Sequence, residues 1–131
     1  MIIMGLDPGS SGGISILETK TNNLPIIRFL HKMPTASMFG KKIVDIKKLY
    51  KLVRNFEIDI SIIEKVHAMP RQGVTSSFQF GRNFGSLEAL SYLIAKRVDY
   101  VAPVVWKKYL GLGPSKGDSL TMARLKFGES E

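Results

Sequence analysis

The chain has no cysteine. That absence excludes a disulfide framework, thiolate-bound zinc, an iron–sulfur cluster and a cysteine nucleophile. It suits a reducing compartment, and a cytoplasmic protein is expected. No apolar run reaches membrane length. The opening residues, MIIMGLDPGSSGG, lack a basic stretch ahead of a long apolar core. They read as a first strand and not as a secretory signal. Acid is also scarce: eleven Asp and Glu stand against nineteen Lys and Arg, a formal net charge of +8. Such an excess attracts polyanions. It is uneven as well. From Lys41 to Arg54 six basic residues meet one acid, Asp45. That concentration favours nucleic acid over a merely solvated face. A membrane surface fits less well, because aromatic anchors do not line the same stretch. What remains is an ordinary globular balance, 44% apolar and 23% charged over 131 residues, which fits a single domain spanning 1–131.

No internal repeat, low-complexity stretch or linker divides the chain. Residues 1–6 form a short apolar run ending at Asp7, read as a buried strand. Residues 8–13 are a turn by composition. The apolar run 13–17 and the polar turn 19–23 make a hairpin, and 25–30 is expected as a third strand. Residues 37–42 read as a loop. Ile43, Ile46, Leu49, Tyr50 and Val53 recur at helical spacing with lysines opposite, which predicts a helix over 44–55. The β-branched run 58–63 is a strand ending at Glu64. A loop over 67–74 contains Pro70 and Gly73, and the longest helix is expected over 75–97. A strand stub over 98–101, a short helix over 103–110 begun by Pro103, a loop over 111–116 and a last helix over 119–127 complete the order. Three strands followed by alternating helices and strands predict an α/β domain. Its mixed sheet comprises a three-strand meander and β-α-β crossovers, with helices on its faces.

The sharpest pair is Asp7 and Glu64, each at the end of a strand that reads as buried. If the later strand joins the first in parallel, the two carboxylates become neighbours. Close carboxylates repel unless a proton or cation lies between them. Mg²⁺ or Mn²⁺ wants such oxygen ligands. The plainer alternative has Asp7 capping the Pro8-Gly9 turn and Glu64 as a strand-end surface acid. Gly9, Gly12 and Gly13 admit either a tight hairpin or backbone cradling an anion. The spacing is neither that of a dinucleotide fold nor that of a P-loop. His67, Met69, Arg71 and Gln72 follow Glu64 in a loop that would overhang the site. There His67 would position a nucleotide and Arg71 hold a phosphate. Trp106, Lys107, Lys108 and Lys116 form a second basic group, open to two readings: charge neutralisation at a reacting phosphate, or solubility and DNA-backbone contact. Gly81 and Gly85 lie four apart on one helix face. Their cost to the helix implies close approach of another helix, within the domain or across a dimer.

The strings MGLDPGSSGG, SIIEKVHAMPRQGVTSSFQFGRNFG and APVVWKKYLGLGPSKGDSL resemble the RuvC family of Holliday-junction resolvases, above all its compact phage and bacterial members. The resemblance covers nearly the whole chain. It implies an RNase H-like fold and a homodimer that nicks four-way DNA junctions hydrolytically in recombination and repair. It also implies four acids per subunit that bind Mg²⁺ or Mn²⁺. Asp7 matches the first acid and Glu64 the second. Lys107 and Lys116 match lysines near the scissile phosphate, and His67 falls where relatives carry a ring at the junction centre. In the family the third and fourth acids follow on a further helix. Here only Glu129 and Glu131 come after Phe127, and Asp118 lies upstream. The chain therefore reads as a resolvase lacking its C-terminal acidic helix, with an apolar strip exposed where that helix packs. A metal-dependent junction endonuclease is the expected function. The alternatives are a junction-DNA-binding remnant and an actin-like ATP-binding phosphotransferase. The last would need a second Asp-Gly hairpin, which this sequence lacks.

Overall fold

The computed structural model describes residues 1–65, 73–113 and 115–128. The elements run β1 (Ile2–Asp7), β2 (Gly13–Glu18), β3 (Ile26–Lys32), β4 (Thr35–Met38), β5 (Lys41–Val44), α1 (Ile46–Val53), β6 (Ile58–Glu64), α2 (Val74–Ile94), β7 (Ala95–Val101), α3 (Pro103–Tyr109) and α4 (Lys116–Phe127). Five strands form one sheet in the order β3-β2-β1-β6-β7. The first three pair antiparallel as a meander. β6 joins β1 in parallel, and β7 joins β6 in parallel. This is the mixed α/β sheet that the order of apolar runs predicts.

Strand alternation sets the layers. Met4 and Leu6 of β1 point to the same face as Ile14 and Ile16 of β2, and all four are buried. Leu49 and Val53 of α1 and Leu87 and Leu90 of α2 close over them, with Ile63 in the same cluster. The lysines Lys47, Lys48 and Lys51 stay exposed on α1, as its 3.6-residue pattern requires. Asp45 caps α1 by accepting a hydrogen bond from the Lys48 backbone N–H at 3.0 Å. A buried Ser61–Ser91 hydrogen bond of 2.8 Å ties β6 to α2. On the opposite sheet face α4 lies across β2 and β3. An apolar cleft of about 440 Å³ remains there, lined by Leu17, Ile27 and Leu30 of the sheet and Leu120, Ala123 and Phe127 of the helix. Among the described residues no helix is long and apolar enough to cross a membrane.

Four expectations need correction. Residues 37–42 are a loop only at the Phe39-Gly40 turn; the rest belongs to a second, two-stranded sheet in which Thr35 faces Val44 and Met38 faces Lys41. Ile43 and Val44 are strand residues of that hairpin, so α1 starts at Ile46 and not at residue 44. The hairpin is held by distant partners. The Val44 N–H donates to Asn83 Oδ1 at 3.1 Å and the Asp45 N–H to the Pro34 carbonyl at 2.8 Å. The long helix ends at Ile94, three residues before the expected end, because residues 95–97 enter the ladder with β6, beginning at Ile58 opposite Ala95. The last helix starts at Lys116, where Ser115 Oγ accepts from the Gly117 N–H at 3.1 Å.

Candidate active site

The site is built at the carboxyl ends of the parallel strands, the usual ligand edge of an open α/β sheet. In the β1–β6 ladder Leu6 is opposite Ile63. The next residue on each strand is an acid, so Asp7 and Glu64 leave adjacent strands at one level. Their carboxyls are within hydrogen-bonding reach of each other. Asp7 is exposed and Glu64 is half-buried.

Glu64 is the electrostatic focus. Burial pushes its carboxyl above the ordinary range, and the negative charge of Asp7 pushes it further. Two groups oppose the shift. Trp106 Nε1 donates toward Glu64 Oε1 at 3.4 Å, and the Lys107 ammonium lies close enough to favour the carboxylate. Both come from α3. That helix starts one residue after β7, with Ala102 as its cap and Pro103 in its first turn. It therefore folds back over the strand ends. Lys107 Nζ also stands 5.6 Å from the Trp106 ring centroid.

Asp7 is held by the turn that follows it. Asp7 pairs with Gly13 in the β1–β2 ladder, and the Gly12 N–H donates to the Gly9 carbonyl at 3.1 Å. A Cβ on Gly12 would lie 2.0 Å from the Asp7 carbonyl oxygen. The glycine run thus forms the tight hairpin, and position 12 is restricted to glycine by that close approach.

Of the residues singled out in the sequence, the fold brings together Asp7, Glu64 and Lys107. Lys108 is exposed one residue further along α3, and Lys116 is exposed at the first position of α4. His67, Met69, Arg71 and Gln72 lie outside the described residues. Trp106 was grouped in the sequence with its basic neighbours. Its role as hydrogen-bond donor to Glu64 appears only once α3 is placed. The signal available in advance was Pro103, which starts a helix directly after a strand neighbouring β6. Among the described residues no three His, Cys, Asp or Glu side chains gather into a metal-holding group, so Asp7 and Glu64 stand as a pair.

No protein-family model and no curated protein matches this sequence. Solved structures do match. Thermus thermophilus RuvC in complex with a Holliday junction substrate aligns with a TM-score of 0.72 at 15% identity, over 100% of this chain and 82% of that one. A second structure of Thermus thermophilus RuvC aligns with a TM-score of 0.67, again at 15% identity and with the same coverage. At that identity the likeness establishes architecture, and function has to be argued from the site. The five-stranded mixed sheet and its helices have the RuvC-like form of the RNase H-like fold.

Proposed function

We propose that this protein is a metal-dependent, structure-selective DNA endonuclease, a crossover-junction endodeoxyribonuclease of recombination and repair. One observation carries the reading: the Asp7–Glu64 carboxyl pair at the strand ends of a RuvC-like sheet. The solved neighbour bound to a Holliday junction substrate supports the choice of branched DNA. Two carboxylates that repel each other fit one hard divalent cation, Mg²⁺ or Mn²⁺, with water completing its shell. Bound there, such an ion supplies an activated water and neutralises charge on a phosphodiester. The chain supplies the rest. Glu64 is oriented by Trp106, and Lys107 places positive charge beside the reacting phosphate. Lys108 and Lys116 extend that charge along the DNA backbone. His67, Arg71 and Gln72 contact DNA from the segment that follows Glu64. Two copies act together, meeting through the α2 face that bears Gly81 and Gly85. Beyond its chain neighbours and the nearby backbone of its own helix, a Cβ on either glycine meets no atom of the described residues within 4 Å.

Incubation of the purified protein with an end-labelled four-way junction and Mg²⁺ tests the reading. Paired nicks are expected from the wild type and none from Asp7→Asn or Glu64→Gln. Equal cleavage by Asp7→Asn overturns the assignment. A second reading, a junction-binding protein without cleavage, is favoured because among the described residues no third acid or histidine joins Asp7 and Glu64. Tight, salt-sensitive gel shifts without nicking in either Mg²⁺ or Mn²⁺ select it.

A further inference from the structure

Phe39 and Gly40 join β4 to β5, and both have positive φ, 52° and 72°. That is the backbone of a type I′ turn, whose first position favours asparagine or glycine. A phenylalanine there is strained. Nothing in the fold compensates it by burial, since Phe39 is 92% exposed, the highest value among the large apolar side chains described. Strain without packing marks a residue retained for another purpose.

Its surroundings indicate the purpose. Lys41 and Lys42 follow immediately and are exposed. Arg82 of α2 donates to Met38 Sδ at 3.0 Å, which braces the hairpin one residue below its tip and adds a third cation. The base is rooted beside the carboxyl pair. The Met33 N–H donates to the Gly12 carbonyl at 2.9 Å, and Gly12 abuts Asp7. Four residues of strand carry the tip roughly 13 Å from that base.

We propose that the β4–β5 hairpin is a base-stacking finger: the Phe39 ring stacks on an unpaired base of branched DNA while Lys41 and Lys42 meet the adjoining phosphates. The choice of branched DNA rests on the nuclease reading. The stacking itself is sequence-tolerant, because every base offers a π-face to an aromatic ring. A single rigid ring among cations matches a nucleic acid that presents bases and phosphates side by side.

The test uses the whole chain and two variants. Phe39→Asn gives the turn its preferred residue, and Phe39→Trp keeps a ring. The DNA probes are a four-way junction, a single-stranded oligonucleotide carrying 2-aminopurine, and a fully paired linear duplex. Phe39→Asn is expected to unfold at a higher temperature yet bind the junction and the single strand about tenfold more weakly. Its duplex affinity stays unchanged and its quenching of 2-aminopurine is lost. Phe39→Trp restores both binding and quenching. Equal junction affinity of wild type and Phe39→Asn overturns the finger while leaving the nuclease reading intact. A lower unfolding temperature for Phe39→Asn assigns the ring to the fold and overturns it too. Phe39-dependent sedimentation with phosphatidylserine vesicles, or Phe39-dependent self-association, does the same. If the wild type binds no junction, the nuclease reading fails. The single-stranded probe then decides the finger alone, supported by Phe39-dependent quenching and overturned by its absence.

Discussion

Gly12 shows how a single atom fixes the site. A methyl group at that position would sit 2.0 Å from the Asp7 carbonyl oxygen, so the turn must open and carry Asp7 away from Glu64. Gly12→Ala is expected to lower stability by about 1–3 kcal/mol, measured as a lower urea midpoint at unchanged slope, and to abolish junction cleavage. Asp7 and Glu64 act on each other in the opposite sense, by repulsion. Without divalent ions, Asp7→Asn removes the charge that disfavours the Glu64 carboxylate, and a small rise in melting temperature is expected. With Mg²⁺ the order reverses. The wild type gains about 2.7 kcal/mol at a hundredfold excess of ion over Kd, while the variant gains little. Melting curves with and without EDTA check both halves. A wild type indifferent to Mg²⁺ would remove the ion from the proposal.

The elements are joined by a few buried or shared polar contacts whose loss has a predictable sign. Ser61 and Ser91 satisfy each other between β6 and α2. Ser61→Ala strands the Ser91 hydroxyl and is expected to cost about 1–3 kcal/mol. Adding Ser91→Ala recovers part of that cost in a double-mutant cycle. At the other end of β6, Asp59 accepts from Lys96 Nζ at 2.8 Å and from the Ile2 N–H at 2.7 Å. Lys96 first, then the Ile2 backbone, hold the Asp59 carboxyl below its ordinary value of 3.8. A depressed folded value stabilises the protein above the unfolded one and is lost as pH falls through the folded value. Asp59→Asn is therefore expected to be less stable than wild type near neutrality. The difference should shrink only in acid below about pH 4, as read from denaturant midpoints across pH.

At the scale of the whole molecule, one basic run becomes two surfaces. Lys41 and Lys42 lie on the β4–β5 hairpin, whereas Lys47, Lys48 and Lys51 lie on α1. The +8 charge predicts junction affinity that falls linearly on a log–log salt plot, by about 0.9 per neutralised phosphate. The α2 face gives a separate prediction. Gly81 and Gly85 face space that the described residues do not fill. Alanine at each should strengthen the isolated helix by roughly 0.5–1 kcal/mol. If two copies meet there, the same substitutions weaken self-association in sedimentation experiments while the melting temperature of the monomer rises. A dimer unaffected by both changes places the contact elsewhere.

The strands and the acids that end them were legible in the sequence, because apolar runs of strand length stop at Asp7 and Glu64 and periodicity is a local property of the chain. The glycine turn after Asp7 and the apolar stripe of α1 could be read for the same reason. The hairpin over Thr35–Val44 could not. Its strands are only four residues each, too short for a pattern to establish itself, and they are fixed by Asn83, a partner 39 residues away from Val44. The end of α2 escaped as well, since Lys96 and Arg97 suit a helix and only the ladder with β6 draws them into a strand. The tertiary structure alone decided that the two acids share one edge, that Trp106 reaches Glu64, and that Phe39 stands exposed on a strained turn. Each of these depends on the pairing of segments far apart in the chain, which local patterns of hydrophobicity and charge do not encode.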